Sequence, residues 1–243
     1  MEFTERDYFG KKMLEFKLNG RTAYLVCPET PCDGKPWLLK TEYFWAFPDF
    51  EKDMLNRGFH VAYIENATRW HKDSDDRAKH DLSVFLHEKF GLNSKCINVG
   101  MSCGGLQAIY YAAAYPEDIA GLYLDAPVVN LLSCPGCAGS SKGNFMDEFT
   151  ANTGLTFKYL LSYRNHPFDN LDIIFKNDIP IFIVAGDSDN IVPFDENGLL
   201  ICQKANETGG RINLILKEDC DHHPHGLNDR SPLIVWAESL YKE

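Results

Sequence analysis

Apolar residues recur along this chain with two periods, and the switches between them mark out the elements. Met13-Leu14-Glu15-Phe16-Lys17-Leu18 and Thr22-Ala23-Tyr24-Leu25-Val26 flank Asn19-Gly20. That dipeptide favours the positive φ angles of a tight hairpin, so two antiparallel strands are predicted to open the sheet. Trp37 to Lys40, His60 to Glu65, Cys96 to Val99, Gly121 to Leu124, Ile179 to Ala185 and Ile212 to Leu216 are short apolar runs, as expected of strands buried on both faces. Helical patterns lie near Phe47 to Arg57, near Ser74 to Phe90, and over Leu106 to Ala114, where Pro116 is a stop. This alternation predicts an α/β fold: an eight-stranded, mostly parallel sheet with helices on both faces. The 243 residues suit one such domain, 1–243.

About fifty residues separate the strand ending near Asp125 from the one starting near Pro180, more than one crossover needs. An insertion over 128–178, after the sixth strand, is therefore expected to act as a lid. It holds a loop, Cys134 to Gly143, and an aromatic stretch, Phe145 to Tyr163, that reads as helix. For any one of its aromatics, packing on the sheet edge is the commoner fate than facing a ligand.

The chemistry is concentrated in Gly100-Met101-Ser102-Cys103-Gly104-Gly105, which lies between the strand at Cys96 and the helix at Leu106. A serine flanked by glycines on a tight strand-to-helix turn is a nucleophile elbow, which exposes the hydroxyl at the end of the sheet. The first N–H groups of the following helix, that of Cys103 foremost, then face any oxyanion formed beside the serine.

A serine hydroxyl needs a base, and the base needs an acid to fix its tautomer. The strand ending at Gly186 is followed by Asp187 and Asp189. Asp189 is the favoured acid, because Asp187, nearer the strand, suits holding the turn by bonding backbone N–H groups. Asp125, at the end of another strand, is the outside candidate. After the last strand come His222, His223 and His225. His222 is chosen as base, with His223 as fallback. A metal site ranks second for this cluster: Pro224 and Gly226 make the stretch an irregular loop, and no H-E-x-x-H motif completes a zinc set.

The chain order Ser102, Asp189, His222 is that of the α/β-hydrolases, and the chain resembles a single-domain member over nearly its whole length. More narrowly, the Pro36-Trp37 strand, Arg57 to Tyr63, the Gly186 to Pro193 turn and the Asp221 to Leu227 loop are similar to bacterial esterase-like hydrolases. In that group the histidine after the last strand is the base, which by position is His222. The histidine loop also resembles that of prolyl-oligopeptidase-like hydrolases. The family's usual His-Gly or glycine-rich oxyanion loop is replaced by Thr41-Glu42-Tyr43-Phe44-Trp45. Since a backbone N–H needs no particular side chain, Glu42 or Tyr43 is expected to donate beside Cys103. The Glu42 carboxylate reads equally as a substrate-selecting group and as an exposed strand-end residue.

Charge narrows the partners. A net charge of −11, from 35 acidic and 24 basic residues, argues against nucleic acid, which needs a basic patch. The acidic stretch from His71 to Arg77 reads as a solvated helix start. Cys134-Pro135-Gly136-Cys137 is a lone C-x-x-C and weak as a redox or zinc motif, and the scattered cysteines suggest reduced thiols. With no signal-like or membrane-length apolar stretch, a cytoplasmic protein without a membrane partner is expected. The expectation is a serine esterase without cofactor or metal, acting on a small-molecule ester, with peptidase or amidase action by the same triad, or a non-catalytic ligand-binding homologue, as alternatives.

Overall fold

A computed structural model describes residues 2–242. The strands are β1 (Thr4–Tyr8), β2 (Lys11–Leu18), β3 (Arg21–Val26), β4 (Trp37–Lys40), β5 (His60–Ile64), β6 (Cys96–Met101), β7 (Ile119–Asp125), β8 (Ile181–Gly186) and β9 (Ile212–Lys217). The helices are α1 (Asp49–Asn56), α2 (Asp73–Phe90), α3 (Cys103–Ala114), α4 (Met146–Thr153), α5 (Phe157–Leu160), α6 (Leu171–Lys176), α7 (Gly198–Thr208) and α8 (Ser231–Ser239). One sheet runs in the order β1-β2-β3-β5-β4-β6-β7-β8-β9. Its first pairings, through β3 with β5, are antiparallel and all those beyond are parallel. The chain therefore has the α/β-hydrolase architecture.

The sheet has nine strands where eight were expected. The additional one, β1, is Thr-Glu-Arg-Asp-Tyr and is exposed except at Tyr8, so it carries no apolar pattern. Its place comes from the ladder with β2, from Thr4 opposite Glu15 to Tyr8 opposite Lys11. At the other strands the pattern decides. Successive side chains point to opposite faces, and in β8 Ile181 and Ile183 join one core while Phe182 and Val184 join the other. The first core is closed by α2, α3, α6 and α7 through Leu82, Leu86, Ile109, Ile174 and Ile201. The second is closed by α1 and α8 through Phe50, Met54, Leu55 and Leu233.

The acidic run ahead of α2 starts that helix, with Asp73, Asp75 and Asp76 in its first turn and Gly91 ending it in the left-handed region at φ 67°. Asp75 is buried rather than solvated: it accepts from the Ala67 and Lys72 N–H groups and pairs with Arg21. The stretch Phe145 to Tyr163 is two helices, not one. Gly154, at φ 77°, ends α4, and the Thr156 side chain caps α5 by accepting from the Tyr159 N–H. Among the described residues, no helix is long and apolar enough to cross a membrane.

Parallel strands end on the same side, so the loops after β4, β6, β7, β8 and β9 meet at one edge of the sheet. These loops carry Glu42, Ser102, Asp189 and His222, with Asp125 at the end of β7 beside them.

Candidate active site

Ser102 sits between β6 and α3 at φ 52° and ψ −119°, a backbone conformation costly for a residue with a Cβ. The flanking glycines have no positive φ; they are required by close approach. A Cβ at Gly100 would stand 2.5 Å from the Gly104 carbonyl oxygen, and one at Gly105 would stand 2.7 Å from Pro127 Cα. The elbow is pinned to its neighbour strand by the Ser102 N–H, which donates to the Asp125 carbonyl at 2.9 Å.

The structure brings Ser102, His222 and Asp189 together. His222 Nε2 lies 3.1 Å from Ser102 Oγ, and His222 Nδ1 lies 2.7 Å from Asp189 Oδ2. Both partners are buried, Asp189 at 6 % and His222 at 8 % exposure, so the pair is shielded from competing water. Asp189 Oδ1 accepts the Ile191 and Val192 N–H groups at 2.9 and 2.8 Å. The turn-holding task expected of Asp187 thus belongs to Asp189. Asp187 is exposed, and among the described residues its carboxylate accepts only from the neighbouring Ser188 hydroxyl.

Two aspartates hold the histidine loop, Asp221, to which sequence reasoning gave no role, and Asp125, to which it gave another. Asp221 accepts from the His222 N–H at 2.7 Å and from both the backbone and side-chain N–H of Asn190, which ties the loop to the turn that carries Asp189. Asp125, the outside candidate for the acid, lies instead against His225, with Oδ1 2.7 Å from Nδ1, and also accepts from the Gly226 N–H and the Tyr123 hydroxyl. Burial pushes the Asp125 carboxyl up, but the His225 bond and charge, with Gly226, outweigh it and hold its pKa below the usual value. His223 is exposed and stacks on Phe47 with ring centroids 5.5 Å apart. Partial burial and the two neighbouring imidazoles lower its pKa, which favours the neutral ring.

The loop after β4 packs on the elbow. The Thr41 hydroxyl lies 3.0 Å from the Val99 carbonyl and 2.7 Å from that of Gly104. The Glu42 carboxylate accepts from Asn66 Nδ2 at 2.8 Å and from the Tyr43 N–H at 3.2 Å. Asn66 is held in turn by the fully buried Lys79, whose ammonium also donates to Gln107. Burial lowers the Lys79 pKa to about 8, against the pull of Asp76, Asp75 and Glu42. Glu42 is thus neither an isolated exposed group nor a wall of the cleft; Tyr43, at φ 53°, is the wall.

A cavity of about 490 Å³ opens over Ser102, lined by Tyr43, Phe47, Met101, Cys134, Phe145 and the three loop histidines, with Arg69 at its side. The inserted segment supplies Cys134 and Phe145. Its Phe149 and Leu160 are packed into a third apolar cluster with Trp70 and Leu106, the commoner fate anticipated for such residues. Arg69 makes two bonds to Glu148 on α4, at 2.8 and 2.5 Å, and its guanidinium lies 4.9 Å from the Phe145 ring centroid. Nothing in the loop after β5 announces Arg69; only the fold brings it to the cleft. All eight cysteines are free thiols, Cys134 buried and Cys137 half-buried. Burial pushes the Cys103 thiol up to about 11, which leaves its backbone N–H as the useful group.

An elbow serine, a histidine and an acid on the loops of a mostly parallel sheet define the class in structural terms, the α/β-hydrolase fold. Solved structures at 14–16 % identity share this fold, three among them as follows. Puromycin hydrolase superposes with a TM-score of 0.70 at 16 % identity, over 92 % of this chain and 36 % of its own. Pyrococcus horikoshii acylaminoacyl peptidase gives 0.65 at 14 %, over 90 % of this chain and 38 % of its own. An S-formylglutathione hydrolase from Agrobacterium tumefaciens gives 0.62 at 14 %, over 92 % of this chain and 93 % of its own. The chain thus spans well under half the length of the peptidase it resembles. No protein-family model and no curated protein matches the sequence.

Proposed function

We propose that this protein is a serine hydrolase of carboxylic esters, with Ser102 as nucleophile, His222 as base and Asp189 as the acid that orients it. The observation that carries this reading is the His222 ring bridging Ser102 Oγ at 3.1 Å and the buried Asp189 at 2.7 Å. Ser102 Oγ attacks the acyl carbon while His222 Nε2 takes its proton; the proton then goes to the departing alcohol. Asp189 keeps the proton on Nδ1 and stabilises the imidazolium. The oxyanion is held by the Cys103 N–H, which as the first residue of α3 has no partner within the helix, and by the backbone N–H of Glu42, since that of Tyr43 is engaged by the Glu42 carboxylate. Water activated by His222 then releases the acyl group.

The likeness to S-formylglutathione hydrolase, covered over 93 % of that chain, favours an activated acyl substrate, since the S-formyl group in its name is a thioester, close in reactivity to an ester. A cavity of about 490 Å³ with mostly apolar walls suits a small ester, and the segment over it, within 128–178, serves as the lid of a single domain spanning 1–243. Peptide or amide cleavage by the same triad is the second reading, favoured by the likeness to acylaminoacyl peptidase.

The test is labelling with a fluorophosphonate probe and turnover of p-nitrophenyl acetate, in the wild type and in Ser102→Ala and His222→Ala. Labelling mapped to Ser102, with turnover lost in both variants, is expected. Absence of labelling in folded protein overturns the assignment in favour of a ligand-binding role.

A further inference from the structure

The three imidazoles of the loop after β9 converge. One nitrogen from each of His222, His223 and His225 lies within 4.8 Å of the others. The ring centroids form a near-equilateral triangle, 4.9 Å on each side. Three imidazoles around one tetrahedral zinc, at Zn–N of about 2.0–2.1 Å, need centroid spacings of about 5 Å. The ligand nitrogens, within 4.8 Å of one another, must close to the ~3.3 Å that tetrahedral Zn–N bonds set, so the rings must turn toward a common centre; His223, exposed and stacked on Phe47, has no side-chain hydrogen bond to break in doing so among the described residues.

The surroundings of the triangle favour a metal. A histidine ligand is usually oriented by a carboxylate or carbonyl on its other ring nitrogen. His222 and His225 both have Nδ1 at 2.7 Å from a buried carboxylate, Asp189 and Asp125, which are 1 % exposed in their side chains. In His225 this leaves Nε2 without a protein partner, and in His222 it leaves Nε2 facing only Ser102. His223 makes no side-chain hydrogen bond among the described residues. All three rings line the cleft. The two buried carboxylates also offset the charge that an ion would bring.

We propose that His222, His223 and His225 form a binding site for a divalent transition metal, zinc foremost, and that its occupation shuts the active site. An all-imidazole set suits zinc, copper or nickel and is a poor host for magnesium or calcium, which prefer oxygen. The Nε2 lone pair of His222 cannot bind a metal and accept the Ser102 proton together. A bound ion thus removes the base and occupies the space above the serine, while a water or the Ser102 hydroxyl completes the tetrahedron. Binding stands on geometry alone, whereas inhibition rests on His222 being the catalytic base.

The two parts are tested separately. Zinc sulphate titrated into the purified protein by calorimetry is expected to bind with one strong site per chain, and magnesium chloride to give no such isotherm. His223→Ala, at an exposed position tolerant of change, and His225→Gln are each expected to weaken zinc at least about tenfold. In parallel, p-nitrophenyl acetate turnover should fall over the same range of zinc and return with EDTA. Absence of strong zinc binding, or equal affinity in wild type and both variants, overturns the site. Zinc bound at the site with turnover unchanged overturns the inhibition. Protein that binds zinc but turns over no ester even without it supports the site and refutes the esterase reading.

Discussion

Asp125 and His225 form a second acid–histidine pair beside the first: Oδ1 and Nδ1 are 2.7 Å apart, the same separation as between Asp189 and His222. No serine faces it. Its task is to anchor the loop that carries His222, since Asp125 is rooted at the end of β7 and also accepts the Gly226 N–H at 2.6 Å.

Replacing Asp125 with alanine removes the acceptor of three donors, the Tyr123 hydroxyl, His225 and the Gly226 N–H. A loss of about 3 kcal/mol in urea unfolding is expected, because breaking a buried, charge-assisted network leaves its remaining members unpaired. In the fraction that stays folded, kcat should fall by about 100-fold, as His222 loses its position relative to Ser102. If stability drops while kcat is unchanged, the pair anchors the fold but not the base.

The two aspartates after β8 are separated by a sharper comparison. Asp189→Asn keeps the shape of the turn but lets the wrong tautomer of His222 prevail, and a fall in kcat of about 10⁴ is expected. Asp187→Asn, at an exposed site whose carboxylate is bonded only to its neighbour Ser188 among the described residues, should leave kcat within about twofold. Equal losses in both, measured with p-nitrophenyl acetate, would exclude Asp189 as the acid.

Most of the architecture was legible in the sequence because it is written in local patterns. Runs such as Ile181 to Gly186 are apolar on both faces, as doubly covered strands must be. The elbow was legible because Gly100 and Gly105 answer to close contacts within the same strand–turn–helix unit and its neighbour strand. β1 was not, because its polar residues are placed by pairing with β2 rather than by burial. Arg69 and the Asp125–His225 pair were hidden for a related reason: their partners are 79 and 100 residues away in the chain, and no local signal encodes such meetings. The fate of Glu42 depends likewise on Asn66 and Lys79, which reach it only in the folded sheet.

Arg69 and Glu148 latch the inserted segment to the loop after β5, and the Trp70 indole N–H adds a bond to the same carboxylate at 3.0 Å. The carboxylate neutralises a cation that stands at the side of the cleft. Glu148→Gln frees that charge, so an ester carrying a carboxylate on its acyl chain should gain on p-nitrophenyl acetate by about fivefold in kcat/KM, the effect of about 1 kcal/mol at partly screened range. The gain should shrink with added salt. An unchanged ratio would place Arg69 outside the acyl path, as a latch and nothing more.

Acid should weaken this fold through His60, the first residue of β5. The residue is 6 % exposed and its Nδ1 has no hydrogen-bond partner among the described residues. Burial, helped by the Lys35 charge, lowers its pKa from 6.5 to about 4. The unfolded chain therefore takes up a proton that the folded chain refuses whenever the pH lies between those values. Stability from this group is complete above about pH 6.5 and declines as the pH falls toward 4, by about 2–3 kcal/mol in all. His60→Gln, which cannot titrate, should flatten that part of the profile in urea unfolding at about pH 7 and about pH 4.5. The carboxylates contribute their own acid sensitivity, which both proteins share, so the difference between them isolates His60. Parallel profiles would mean that the folded protein admits the proton to His60 as readily as the unfolded chain does.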